Sequence, residues 1–126
     1  MRLDSFDREF IGIFMGEGCI DISQQGRMAH HIRPRVRIGM HGRERMMLEM
    51  IQQRYGGSLT VRPTDGSVTW QLTGADKLRR VCEILSRSTM PSAKRDEIPL
   101  LREAIELVGR PDRMLELKRA LAEMKH

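Results

Sequence analysis

Apolar positions in the first segment of the chain recur with a helical period, then switch within a few residues to the alternation of a strand. Phe6, Phe10, Ile13 and Phe14 share one face of a helix that the spacing predicts to begin after Asp4 or Ser5 and to stop near Gly16–Gly18. Asp4 and Ser5 are both good N-caps. Asp7 and Glu9 add negative charge to the first turn, where the helix dipole favours it. Ile20 and Ile22 then alternate with Cys19, Asp21 and Ser23 as in a half-buried strand, and Q-Q-G-R-M-A-H-H reads as a polar hairpin connection. In the following I-R-P-R-V-R-I-G-M, Arg33, Arg35 and Arg37 alternate with Val36, Ile38 and Met40; Pro34 suggests a strand that begins late or lies at an edge.

Helical period returns from about Glu44 to Tyr55 through Met47, Leu48 and Ile51, and Gly56–Gly57 end it. A second hairpin is predicted across P-T-D-G, with Leu59 and Val61 opposite Val68, Trp70 and Leu72. Asp76 opens a third helix through Val81, Ile84 and Leu85. After S-T-M-P-S a fourth is expected from about Asp96 to Val108, and Gly109 and Pro111 separate it from a last helix over about 111–125. The order is α-β-β-α-β-β-α with a C-terminal helix appended. The expected class is α+β: a four-stranded antiparallel sheet backed by helices. One sheet face, with Ile20, Ile22, Val36, Ile38, Leu59, Val61 and Leu72, should pack on the helices. The other carries Ser23, Gln25, Arg33, Arg35, Arg37, Ser58, Thr60, Arg62, Thr69 and Gln71, with almost nothing acidic beyond Asp21.

A chain of 126 residues is the size of one domain, expected to span 1–126 with its core over about 5–108. Aromatics make up only 4% of it, and 10 Met residues supply adaptable filler instead. The net charge of +5 points to a polyanionic partner, nucleic acid first. Arg greatly outnumbers Lys, and Arg is the better bidentate reader of phosphate and guanine. Like charges along one strand face repel, so the arginine row is favoured as a DNA contact over a solvated face. Cys19 and Cys82 have no metal-ligand spacing and fit a reducing cytoplasm. No apolar run approaches the roughly 18 residues of a membrane span, so the expected protein is intracellular and has no membrane partner. His30–His31 lacks a third ligand and reads as a hairpin-tip pair near phosphates.

One stretch resists the simple reading. F-I-G-I-F-M-G-E-G places Gly12 and Gly16 inside an apolar helix, and a carboxylate, Glu17, at the end of it. Glycine weakens a helix interior and the dipole disfavours an anion at the C-terminus. Read with the element order, these nine letters resemble the name motif of the LAGLIDADG homing endonucleases, with Gly12, Gly16 and Gly18 on its small positions and Glu17 on its acidic one. The resemblance covers about residues 5 to 108.

It implies that two such helices pack together through Gly12, Ile13 and Gly16, and that their ends deliver two carboxylates to the scissile phosphates. With one copy of the motif, the implied enzyme is a homodimer. The implied cofactor is Mg²⁺ or another divalent cation, held by Glu17 and the Gly16 carbonyl and acting on an attacking water. Glu in place of the more familiar Asp lengthens the reach by one methylene. The family's loop lysine falls on Lys94 in P-S-A-K-R, and a further polar site residue would be His41, Arg43 or Arg45. The DNA-contacting residues would be Ser23, Gln25, Arg27, Arg33, Arg35, Arg37, Arg62, Thr69 and Gln71. The implied activity is a metal-dependent double-strand cut in a long, nearly palindromic DNA site, serving the spread of an intron, intein or free-standing gene. The alternatives are a LAGLIDADG-like domain without cleavage, acting as a regulator or splicing maturase that binds DNA or RNA, and an unrelated α/β interaction domain.

Overall fold

A computed structural model describes residues 2–24 and 32–125. Helix α1 (Ser5–Glu17) leads into the hairpin β1 (Gly18–Gln24) and β2 (Ile32–Met40), and a short 3₁₀ turn (Gly42–Glu44) precedes α2 (Arg45–Tyr55). The second hairpin is β3 (Ser58–Val61) and β4 (Val68–Leu72), followed by α3 (Ala75–Leu85), α4 (Ala93–Glu106) and α5 (Pro111–Lys125). The strands form a four-stranded sheet in the order β1-β2-β4-β3, antiparallel at each pairing. This is the predicted α+β architecture.

The start of α1 and the end of α2 are built from local chemistry. Asp4 Oδ1 accepts from the Asp7 N–H (2.8 Å), and Asp7 Oδ2 accepts from the Asp4 N–H (3.2 Å), a reciprocal capping box. α2 stops at Gly56 and Gly57, whose φ values of 87° and 98° suit glycine alone. A Cβ on Gly57 would lie 2.5 Å from the Gln71 carbonyl, so the turn also needs glycine for close approach. Trp70 Nε1 donates to the Gly56 carbonyl (2.8 Å), and the Tyr55 hydroxyl donates to buried Asp7 (2.7 Å). Burial and the Asp7 carboxylate push the Tyr55 phenol well above its usual range.

The core lies between one sheet face and the helices. Phe10 packs on Tyr55 with the rings tilted (centroids 4.4 Å apart) and meets Trp70 edge-on, while Ile20, Ile22, Val36, Ile38 and Leu72 are buried beside them. Four expectations need correction. Pro34 is buried in the inner strand β2, neither at its start nor in an edge strand. Pairing with β4 begins only at Val36, so Pro34 lies where β2 has a neighbour on the β1 side alone. Val61 is on the helix-facing side but remains 43% exposed, because β3 is an edge strand with no neighbour to shield it. The third helix is capped at Gly74, and Asp76 belongs to its first turn. The fourth helix begins at Ala93, not Asp96, because the Ser92 hydroxyl accepts from the Arg95 N–H (3.1 Å). α4 continues through Pro99, which is exposed, so the Arg95 carbonyl it leaves unpaired lies on the solvent side.

Candidate functional site

The glycines of the opening motif divide into two kinds. A Cβ on Gly18 would sit 2.4 Å from the Phe14 ring, so its smallness lets α1 turn sharply into β1. Cβ atoms on Gly12 and Gly16 would meet nothing within 4 Å. Their smallness serves no contact among the described residues. The strip they form is open and ends at Glu17, which is exposed as the last residue of α1. Beside it runs an apolar hollow of about 320 Å³ between α1 and α2, lined by Phe6, Ile13, Met46 and Met50 among others. Met46 and Met50 are 76% and 50% exposed.

Lys94 approaches the same end of α1 from a distant part of the chain. Its Nζ donates to the carbonyls of Met15 (3.0 Å) and Phe14 (3.4 Å), 79 and 80 residues away. Because α4 starts early, Lys94 lies in the first turn of a helix and not in the preceding loop. The ammonium occupies the negative end of the α1 dipole, the place where a cation is most favourable. It also takes the Met15 carbonyl, one of those that helix geometry leaves without a partner; the Phe14 carbonyl already accepts from the Gly18 N–H. Gly16 and Glu17 follow at the helix end. Among the described residues no group of three or more His, Cys, Asp or Glu side chains could hold a metal ion. A cation here would need donors beyond the described side chains.

The sheet face away from the helices carries Ser23, Arg33, Arg35 and Arg37, Thr69 and Gln71, and Ser58 and Thr60, as expected from the alternation. Gln25 and Arg27, like His30 and His31, lie outside the described residues. Arg62 stands just past β3, 3.6 Å from Asp65 of the turn. The arginine row is not uncompensated. Register sets Asp21 opposite Arg35, and its carboxylate binds Arg35 Nε (2.5 Å) and an Arg37 terminal nitrogen (2.7 Å). Of the row, Arg33 is exposed, whereas Arg35 and Arg37 are half-buried. Past β2, His41 Nδ1 accepts from the Arg43 N–H (3.2 Å) and Arg45 pairs with Glu49 (3.0 Å). The Arg43 side chain makes no ion pair among the described residues.

Two groups near Glu17 were not foreseen. Glu97 on α4 is buried, and Lys125 of α5 reaches both Glu97 (3.7 Å) and the start of β1. One signal was available: Glu97, Leu101 and Ala104 share a helical stripe, which marks position 97 as inward-facing.

The family model for the LAGLIDADG endonuclease matches residues 10–105, most of the chain. The chain belongs to the LAGLIDADG endonuclease family. No curated protein sequence matches it. Among solved structures it is similar to the homing endonuclease I-CvuI in complex with its target (19% identity, TM-score 0.75, covering 94% of this chain and 80% of that one). It is similar also to the homing endonuclease I-TnaI (20% identity, TM-score 0.72, 98% and 86% covered). A third is I-AabMI bound to uncleaved DNA (21% identity, TM-score 0.73), of which the match covers 92% of this chain but 44% of that one. At these identities the likeness establishes a shared LAGLIDADG fold. Among the described residues no helix is long and apolar enough to cross a membrane.

Proposed function

We propose that two copies of this LAGLIDADG chain form a site-specific DNA endonuclease, with the helices α1 in contact and one Glu17 from each copy at the two scissile phosphates. The observation that carries the reading is the open Gly12–Gly16 strip ending in an exposed carboxylate. Helix-interior glycines that no contact among the described residues requires are what a close helix pair between chains would use. The exposed methionines beside the strip add apolar area to the same contact. Length supports pairing as well: I-AabMI has room for two units of this size.

The sheet face supplies the DNA surface. Arg33, Arg35 and Arg37 with Ser23, Thr69 and Gln71 form a cationic ribbon of a width that fits the major groove, where arginine can fork to guanine. Gln25, Arg27 and Arg62 would extend it. A two-fold axis along α1 makes the preferred site nearly palindromic. I-CvuI and the archaeal intron-encoded I-Vdi141I were both solved with DNA, which agrees with this assignment.

The donor set fits a hard divalent cation, Mg²⁺ by chemistry. Each chain offers one exposed carboxylate and the Gly16 carbonyl, and a second copy and phosphate oxygens would complete the shell. When bound, such an ion polarises the phosphate and brings an attacking water within reach of neutral-pH chemistry. I-CvuI has been solved with DNA in the presence of Mg and of Ca. The chain's own part is positional. Glu17 holds negative charge at the scissile phosphate; Lys94 fixes the end of α1 and brings a cation close to the transition-state charge. Arg43, which makes no ion pair among the described residues, would take a phosphate past β2.

The test is Glu17→Gln, which keeps side-chain size and removes the charge. A randomised duplex library, incubated with Mg²⁺ and then Ca²⁺, supplies the substrate. Single-turnover cleavage should fall by several orders of magnitude while affinity for the same duplex holds or rises. Wild-type protein that binds specific sites and cuts none would mean a binding module, and a Glu17→Gln protein that cuts at the wild-type rate would remove the carboxylate from the mechanism.

A further inference from the structure

The chain on the two sides of Glu17 is gripped by two lysines from different helices. Lys94 Nζ donates to the carbonyls of Phe14 and Met15, before the carboxylate. Lys125 Nζ donates to the Ile20 carbonyl and to Cys19 Sγ (3.4 Å), after it. Between the lysines stands Glu97, which is 6% exposed. It follows Lys94 by three residues on α4, hence on the same helix face, and its Oε1 lies 3.7 Å from Lys125 Nζ. That oxygen has no hydrogen-bond partner among the described residues.

A carboxylate so buried is a poor source of stability. Desolvation opposes the charge, one ammonium beyond hydrogen-bond length repays little, and an unpartnered oxygen adds to the cost. Its position suggests another use. One buried anion between two ammonium groups keeps both turned inward, onto the segment 14–20. Met114, Leu117 and Leu121 anchor α5 in the core, which holds Lys125 in reach. The Glu17 turn is otherwise held by the Gly18 N–H, which donates to the Phe14 carbonyl, by the contact of Gly18 with the Phe14 ring, and by the β1–β2 pairing that starts at Gly18.

We infer that Glu97 and Lys125 are positioning residues: with Lys94 they form a clamp that fixes the α1–β1 turn and so the place of the Glu17 carboxylate. The inference rests on the reading of Glu17 as the acid at the scissile phosphate. It gives α5 a role in the reaction beyond covering the core.

The experiment compares Lys125→Met, Glu97→Gln and Lys125→Arg with a control on the same helix. The control is Lys118→Met, whose lysine reaches Gln24 and not the turn. Amide hydrogen exchange at residues 17–21 of the full chain should quicken by about tenfold or more in Lys125→Met and Glu97→Gln. It should stay unchanged in Lys118→Met. Single-turnover cleavage should slow by about 10–100-fold in the same two variants, as a misplaced reacting group does. The Mg²⁺ concentration for half-maximal rate should rise, and duplex affinity measured in Ca²⁺ should not change. Lys125→Arg should restore most of the rate. A lesion that merely loosened the fold would weaken duplex binding together with rate.

Unchanged exchange in Lys125→Met would overturn the clamp, and quickened exchange with an unchanged rate would overturn its part in positioning. If Glu97→Gln does not fold, Lys125→Met decides, since its side chain is partly exposed. If the wild-type chain cuts no duplex, the endonuclease reading falls, while the exchange measurement still decides whether the clamp exists.

Discussion

Gly12→Ala should stabilise one protomer and weaken the pairing of two. The two effects have separate physical origins. Gly12 lies inside α1, and a Cβ there meets no atom within 4 Å among the described residues, so the new methyl clashes with none of them. Glycine is about 0.8–1.0 kcal/mol worse than alanine in a helix interior, and the protomer should gain roughly that amount. For a domain of this size the melting temperature then rises by a few degrees, about 3–6 °C. Gly16 is close to the helix end, so Gly16→Ala should gain less. In a two-fold helix contact each substitution inserts a methyl from both chains. Overpacking of a tight contact costs about 1–3 kcal/mol, which weakens association roughly 5–150-fold. Gly18→Ala is the control with opposite sign for the protomer: its Cβ would press on the Phe14 ring at 2.4 Å and should lower the melting temperature. Sedimentation equilibrium gives the association constant, and denaturation at dilutions below it gives protomer stability. Gly12→Ala and Gly16→Ala proteins that gain stability and still associate as tightly as wild type would refute the helix contact. A wild-type chain monomeric at micromolar concentration with and without DNA would refute it outright.

Arg35→Ala or Arg37→Ala should weaken specific binding by about 1–3 kcal/mol if a base is read, and uniformly with a smaller salt slope if only phosphate is touched. Unchanged affinity and slope, measured by titration at several salt concentrations, would move the DNA surface elsewhere. Asp21→Asn should raise affinity for unrelated duplexes and narrow the gap to the preferred site, because Arg35 and Arg37 lose the carboxylate that orients them. An unchanged ratio of the two affinities would contradict that. Burial raises the Glu97 carboxyl above its ordinary value, with Lys125 opposing. A raised folded-state value means the folded chain holds this proton more tightly, so the contribution is full below the ordinary carboxylate pKa and is lost as pH rises through the folded value. Glu97→Gln should therefore melt with wild type near pH 4 and above it near pH 7, values set by the usual carboxylate range. A melting difference independent of pH would show that the charge plays no part.

The first helix, both hairpins and the two sheet faces were legible because their signals are local. The capping pair Asp4 and Asp7 lies within one turn, and the alternation around Ile20, Val36 and Trp70 has the period of the pleat. Glu17 stood out for the same reason, as an anion at the wrong end of an apolar helix. Errors came where a neighbour outside the segment decides. Pro34 is tolerated because β4 pairs with β2 only from Val36 onward. Lys94 is helical because Ser92 caps α4 three residues earlier than the period of apolar positions suggested.

What the sequence determined by itself is therefore which side chains share a face: the 2.0 and 3.6 periods tie neighbouring positions together whatever the rest of the chain does. Tertiary structure alone decided which faces meet and in what register. The β1–β2 register, not composition, set Asp21 against Arg35 and turned two members of an arginine row into a held pair. Packing of α4 and α5 on β1 brought Lys94, Glu97 and Lys125 to the turn at Glu17 across 79 residues and more. Such contacts leave no periodic trace, because they depend on chain segments whose separation in sequence carries no information about their distance in space.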